Sequence, residues 1–323
     1  MQESWVNGAL IGHYEDLTGY TGVSVVIFPE GATGGCHVAG FASGTGELCS
    51  LSPFHVAPFV HGVCLTGGSA FGLDSARGVM DFLEEQGIGF PVGEVIVPLV
   101  PSVVIFDLLF GSSKARPGRS MGYNAAKLAN FFEPAQGSIG CGTGATVGKA
   151  LGMKRAMKSG VGISSRVIKG DAKVGVLAVV NAFGDIVDPG TKKVLAGLRN
   201  SEDSNLLSST LCHMDEAMRM RFGPLTSTTL GVILTNTPLS KIEANKLAKQ
   251  AEAAIFTTHS PAMTSFDGDV IFVFSTNKSR TNVYAEVLAV HIKEIFEEAV
   301  INAISLSEGF GLLPSCKDIN SIS

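Results

Sequence analysis

The sequence predicts an α/β layered fold in which a buried sheet is covered by helices. Two observations carry this expectation. Val23–Phe28, Gly62–Leu65, Val161–Ile168, Val174–Asn181, Leu230–Thr235 and Val270–Ser275 are β-branched or continuously apolar runs of strand length. Helical patterns interrupt them, and strands apolar on both faces must be covered on both faces.

The elements follow in order. Ala70–Gln86 reads as a helix that puts Phe71, Leu73, Val79, Phe82 and Leu83 roughly on one face and stops at Gly87. Met121–Phe132 reads as a second helix, ending before Pro134. Asn200–Ser209 is polar, and Leu211–Phe222 looks helical. A run of hydroxyls, Thr226-Ser227-Thr228-Thr229, then heads the strand Leu230–Thr235. Ser240 and Glu243 form an S-x-x-E capping box, opening a helix to about Phe256, and a long amphipathic helix covers about Val283 to Ile304. With no repeat and no low-complexity linker, residues 1–323 are expected to form a single domain.

Composition narrows the function. Lys and Arg number 24 against 29 Asp and Glu, a net charge of −5, with 16% charged residues. That balance gives no electrostatic footprint for nucleic acid or an anionic membrane. Mean hydropathy is +0.31, a compact apolar chain. No basic segment followed by an apolar one opens the sequence, and Val95–Phe106 is too short and too broken by Pro98 and Pro101 to span a bilayer. The expectation is a cytoplasmic protein. Its six cysteines never fall as C-x-x-C or pair with histidine at zinc spacing. They read as buried free thiols of a reducing compartment, and no metal or cofactor is expected.

Several motifs begin well and fail. Gly142 to Lys149 (GTGATVGK) resembles a phosphate loop, but Thr143 and Ala150 stand where Gly and Ser or Thr are required. Gly140 to Ala145 fits G-x-G-x-x-A without the later acidic residue that would hold a ribose. Its plainer reading is a close backbone approach that only glycine permits. Gly67-Gly68-Ser69-Ala70-Phe71 starts like a nucleophile elbow and ends in Phe. The seven histidines show no H-E-x-x-H, and His259 reads as structural. Asp267-Gly268-Asp269 puts two acids on one face at strand spacing, though by itself it reads as a turn. The hydroxyls at 226–229, taken alone, are an ordinary polar strand start.

Longer stretches change that reading. They are Thr21-Gly22-Val23 with Pro29 to Ala32, Leu65 to Asp74 (LTGGSAFGLD), Pro101 to Leu108 (PSVVIFDL), and Ala115-Arg116-Pro117. Gly142 to Lys149, Val179 to Pro189 (VVNAFGDIVDP), Thr228 to Asn236 (TTLGVILTN) and Thr264 to Asp269 (TSFDGD) complete the series. In this order and over nearly the whole length, the chain resembles the family of L-aminopeptidase D-Ala-esterase/amidases. That family includes β-peptidyl aminopeptidases, a pantetheine hydrolase and the nylon-oligomer (6-aminohexanoate-oligomer) hydrolases.

The resemblance implies an αββα sandwich of the N-terminal-nucleophile-hydrolase type, made as a precursor that cuts itself before a Ser or Thr. Carried over, the cut falls between Ser227 and Thr228, giving chains 1–227 and 228–323 with Thr228 as nucleophile. Its new α-amine, with a reference pKa of about 7.7–8.0, can take the hydroxyl proton without a histidine. Asn181 matches the oxyanion-binding asparagine, and Lys149 a lysine near the nucleophile in the nylon-hydrolase branch. Asp267 and Asp269 match the pair that orients nucleophile and lysine there. Phe106 stands where some members have tyrosine, and Ser227 where Asn, sometimes Gly, is usual. A small peptide or ω-amino amide is expected to enter near Gly67, Gly68, Ser69 and Phe71, and homo-oligomers, commonly tetramers, are implied. Ser227 also motivates the alternative of a processing-deficient homologue acting as a binding or scaffold protein. Nucleotide binding through 140–149 is the third reading.

Overall fold

The computed structural model describes residues 5–132, 134–219 and 227–320. Its principal strands are β1 (Leu10–Asp16), β2 (Thr21–Val38), β3 (Val60–Thr66), β4 (Ser102–Val104), β5 (Val161–Lys169), β6 (Ala172–Asn181), β7 (Thr228–Thr235) and β8 (Val270–Ser275). The helices that cover them are α1 (Ser75–Glu85), α2 (Arg119–Lys127), α3 (Lys241–Gln250), α4 (Glu252–Thr258) and α5 (Ala285–Ser305).

β2 joins two sheets. Its first half pairs with β1 and β3, and its second half, Thr33–Val38, pairs with β8. The register shifts between Ile27 and Ala32, where Pro29-Glu30-Gly31 turns the corner with Gly31 at φ 78°. The second sheet then runs β5-β6-β7-β8-β2, antiparallel except for the parallel pair β7–β8.

Period-two alternation sorts the side chains into three packed layers. Val26, Phe28, Val63 and Leu65 of the first sheet meet Leu177, Val179, Leu230, Val232 and Phe272 of the second. On the outside of the first sheet, Val23, Val25 and Ile27 pack on Val79, Leu83 and Ala125 of α1 and α2. On the outside of the second, Val174, Val176, Val180 and Ile233 pack on Leu247, Ile255, Ile292 and Phe296 of α3 to α5. A Cβ at Gly231 would lie 2.5 Å from the Phe296 ring, so glycine there lets α5 press onto β7. The result is an αββα sandwich.

Several expectations need correction. Ala70–Gln86 is a 3-10 turn over Ser69–Asp74 followed by α1. The tighter turn rotates Phe71 off the core face, leaving it 62% exposed with the Arg116 guanidinium 4.3 Å over its ring. The second helix ends at Lys127 because Asn130 leaves it to exchange backbone hydrogen bonds with Ile11 on β1. In the Leu211–Phe222 segment a 3-10 turn, Thr210–His213, precedes a short helix, Met214–Arg219; residues 220–226, Thr226 among them, lie outside the described residues. The capping box on Ser240 is present, but the helix it opens breaks at Ala251 into α3 and α4. All six cysteines are free thiols, yet Cys49 and Cys212 are exposed, not buried. Among the described residues no helix is long and apolar enough to cross a membrane.

Candidate active site

Thr228 opens β7, and the sheet gives it a neighbour on each side. Across β6 its register partner is Asn181, the last residue of that strand. On the other side, ahead of β8, lies Asp267-Gly268-Asp269, joined to β7 by a parallel bridge between Ser227 and Asp267. By strand parity Thr228 and Asn181 share the face of Leu230 and Val179, which looks between the sheets. Ser227 and Thr228 are both buried.

Lys149 comes from the glycine-rich loop. Gly148 N–H and Lys149 N–H donate to the carbonyls of Gly184 and Phe183, which pins the loop beside the end of β6. Gly148, at φ 71°, sits so close to Gly197 that a Cβ would lie 2.0 Å from its carbonyl carbon. The Lys149 ammonium donates to the main-chain oxygen and Oδ1 of Asn181, both at 2.8 Å. Thr146 N–H also donates to Asn181 Oδ1 (3.1 Å), and Asn181 Nδ2 donates to the Phe106 carbonyl (3.1 Å). Those bonds fix which way the amide faces.

The two aspartates are held as an extension of β8. Their carbonyls accept N–H groups from Ala39, Gly40, Phe41 and Ala42 at the end of β2. Asp269 Oδ1 accepts the Thr229 N–H at 2.5 Å, and Asp267 Oδ2 accepts both the N–H and hydroxyl of Thr264. Burial, opposed by the carboxylates of Asp267, Asp107 and Asp269, brings the Lys149 ammonium down to about 7. Burial raises Asp267, and burial with the Asp267 charge raises Asp269 well above the usual carboxylate range. Lys149, Asp267 and Asp269 are thus buried together, and burial shifts each of them toward its neutral form.

His259 stands on the opposite face, its Nε2 2.8 Å from the Thr229 hydroxyl and Nδ1 2.9 Å from the Thr258 hydroxyl. Burial lowers it to about 4, so it is a neutral ring that props β7. Residues 140–149 are buried throughout and expose no cradle for phosphates. Among the described residues, no group of three or more His, Cys, Asp or Glu could hold a metal.

The Gly67–Phe71 segment divides. Gly68 N–H donates to Asp107 Oδ1 (2.7 Å), and Gly67 packs against the same carboxylate. Ala70 and Phe71 instead line a cleft of about 510 Å³ with Leu73, Arg77 and Met80, which none of Thr228, Asn181, Lys149, Asp267 and Asp269 lines. Lys149 is reached from elsewhere. With Phe106, Asp107, Leu109, Phe110, Thr146 and Met153 it lines a narrow closed slot. Beyond the slot, Leu109, Phe110 and Met153 also line an open cleft of about 460 Å³, rimmed by Lys154, Arg199, Glu202 and Asp203.

Sequence reasoning assigned no role to Asp107, Thr146 or Lys158. Asp107 accepts the Thr21 hydroxyl (2.6 Å) besides Gly68, and burial raises its carboxyl. Lys158, brought to about 7 by burial, donates to the carbonyls of Gly142, Ala145 and Ser159. Asp107 directly follows the apolar stretch Val95–Phe106, a position where a lone acid could have been flagged, whereas Lys158 had no such signal.

Peptidase family S58 matches residues 5–311. The chain belongs to peptidase family S58. It is therefore a hydrolase of peptide or other amide bonds. A relative described as an uncharacterized aminopeptidase of Mycobacterium bovis is 36% identical, over 84% of this chain and 80% of that protein. The 6-aminohexanoate-oligomer endohydrolase of Paenarthrobacter ureafaciens is 31% identical, over 92% and 84%. Among solved structures, the L-aminopeptidase D-Ala-esterase/amidase of Ochrobactrum anthropi, described as a variant of the Ntn hydrolase fold, superposes with a TM-score of 0.73 at 16% identity, over 100% of this chain and 93% of that one. A Burkholderia β-aminopeptidase gives 0.68 at 18%, over 99% and 94%. At these identities they speak for the fold, which is that of the S58 chain described above.

Proposed function

We propose that this S58 chain cuts its own Ser227–Thr228 bond and then hydrolyses small amides through Thr228 as an N-terminal nucleophile. One observation carries the reading. The Thr228 strand start is buried between Asn181, which Lys149 holds, on one side and Asp267 and Asp269 on the other. In the first cut the Thr228 hydroxyl attacks the Ser227 carbonyl, the peptide C–N bond breaks, and water hydrolyses the resulting ester. The freed α-amine then takes the hydroxyl proton as Thr228 attacks substrate. The second N–H of Asn181 Nδ2 stabilises the tetrahedral oxyanion, the substrate amine leaves, and water releases the acid. Lys149 favours the neutral form of the α-amine, and Asp267 and Asp269 hold lysine and strand in place.

The substrate class is a short peptide or linear ω-amino amide, supported by the aminopeptidase and 6-aminohexanoate-oligomer hydrolase relatives. It approaches over Met153, through the cleft that adjoins Lys149, and not past Phe71. A Met153→Trp block should lower kcat/KM about tenfold or more, while Ala70→Trp in the other cleft leaves it within about twofold. The reverse pattern would return substrate access to Gly67–Phe71. The processed unit is expected to act in the cytoplasm as a homo-oligomer, a tetramer by the family resemblance.

Intact mass tests the reading. The purified protein should give fragments of about 24 and 10 kDa, the smaller beginning Thr-Thr-Leu, and Thr228→Ala should remain one 33.6 kDa chain. A wild-type chain still whole after long incubation would leave Thr228 without an amine base and end the proposal.

A further inference from the structure

The carbonyl that would be attacked in the self-cut already has a donor. Ser227 N–H donates to the Phe266 carbonyl at 2.9 Å, and the Ser227 carbonyl accepts the Gly268 N–H at 2.6 Å. A residue that exchanges both bonds with one parallel neighbour turns its N–H and its C=O to that side. For Ser227 that side is the Asp267–Asp269 segment, whereas Asn181 lies across Thr228 on the other flank of β7. The scissile carbonyl therefore points away from Asn181. The Asn181 amide is also committed, through Oδ1 to Lys149 and Thr146 and through one Nδ2 hydrogen to Phe106.

We propose that the Gly268 main-chain N–H is the oxyanion donor of the self-cleavage step, and that Asn181 serves only the later hydrolysis of substrate. This rests on the reading that the chain cuts itself before Thr228. As the Thr228 hydroxyl oxygen bonds to the Ser227 carbonyl carbon, its proton passes to a neighbouring base. The carbonyl π electrons move onto the Ser227 oxygen, which Gly268 N–H holds. Collapse re-forms the carbonyl and breaks the C–N bond, and the Thr228 nitrogen takes up the proton. Water then cleaves the ester, leaving the Ser227 carboxyl and a free hydroxyl.

The donor is built in advance. The carbonyls on either side of Gly268 are tied by the N–H groups of residues 39–42, so the amide has little freedom to turn away. A Cβ at 268 would lie 2.8 Å from the Ala42 carbonyl, so only glycine lets the segment lie this close to the chain that follows β2. A main-chain donor on a main-chain oxygen also accounts for a serine at 227, since it does not call on an asparagine side chain there.

Cell-free translation of the full chain with glycolic acid at 268 replaces this N–H by an ester oxygen. Self-cutting should slow by about 10²–10³-fold, with amide turnover per cut chain within about twofold of wild type. Phenyllactic acid at 41 is the control, because it removes an N–H from the Asp267 carbonyl in the same segment without touching Ser227. Gly268→Ala, which must push the amide off the carbonyl, should show the same slow cut should the ester chain fold poorly. Asn181→Ala should do the opposite, cutting itself but losing substrate turnover. A wild-type cutting rate in the folded glycolate chain, or an equal slowing by the position-41 ester, would overturn the assignment. A wild-type chain that never cuts is a different result, against self-processing itself.

Discussion

A Lys149→Met chain should stay in one piece, its self-cutting slowed by about 10³-fold. Before the cut no α-amine exists, so the proton of the Thr228 hydroxyl needs another acceptor. On the proposed mechanism that acceptor is Lys149, whose ammonium burial lowers to about 7, where part of the population is the free amine. The sign follows. Below pH 7 the lysine is protonated and cannot accept, so wild-type cutting should rise as pH passes through about 7 and level off above it. The Met variant should lose that inflection along with the rate. Time courses of intact mass from pH 5.5 to 9 read both. Wild-type cutting by Lys149→Met would place the base elsewhere.

Much of this fold was legible in single segments. The runs at 230–235 and 270–275 are strands over those same residues or two more, and Ser240 with Glu243 caps its helix. What failed was local geometry set by distant partners. Phe71 has helical spacing from the core, but the 3-10 turn before α1 turns it to solvent. The second helix stops because β1 offers Asn130 a better partner. The site was illegible for a related reason. Lys149, Asn181, Thr228 and Asp267 fall on separate segments, and they meet only because β6, β7 and the strand edge before β8 pair and the loop carrying Lys149 is pinned beside the end of β6. No spacing rule covers such a set, and it came from family resemblance. Main-chain partners, such as the Phe106 carbonyl that takes an Asn181 Nδ2 hydrogen, are not readable from side-chain chemistry.

Lys158→Ala should cost about 3–5 kcal/mol of stability, measured by urea unfolding of the uncut Thr228→Ala chain so that one polypeptide is compared with one. Among the described residues two lysines, Lys149 and Lys158, are buried with similarly lowered pKa values, and they do different work. Lys149 bonds to Asn181, the register partner of Thr228, whereas Lys158 gives its hydrogens to the carbonyls of Gly142, Ala145 and Ser159. The first two of those carbonyls belong to the turn that delivers Thr146 and Lys149, and the buried Asp107 is the charge that offsets Lys158. Truncation leaves the buried carbonyls of Gly142, Ala145 and Ser159 unpaired and removes the positive charge that offsets the buried Asp107. The pH dependence gives a second readout. With a folded pKa near 7 and an ordinary unfolded value near 10.5, the unfolded chain holds a proton between those limits that the folded chain has shed. This group's contribution therefore makes wild-type stability rise with pH across that window, and Lys158→Met should flatten the slope. A Lys158→Met chain that unfolds like its parent at every pH would mean that the turn holds itself, and that this lysine is a passenger in the core.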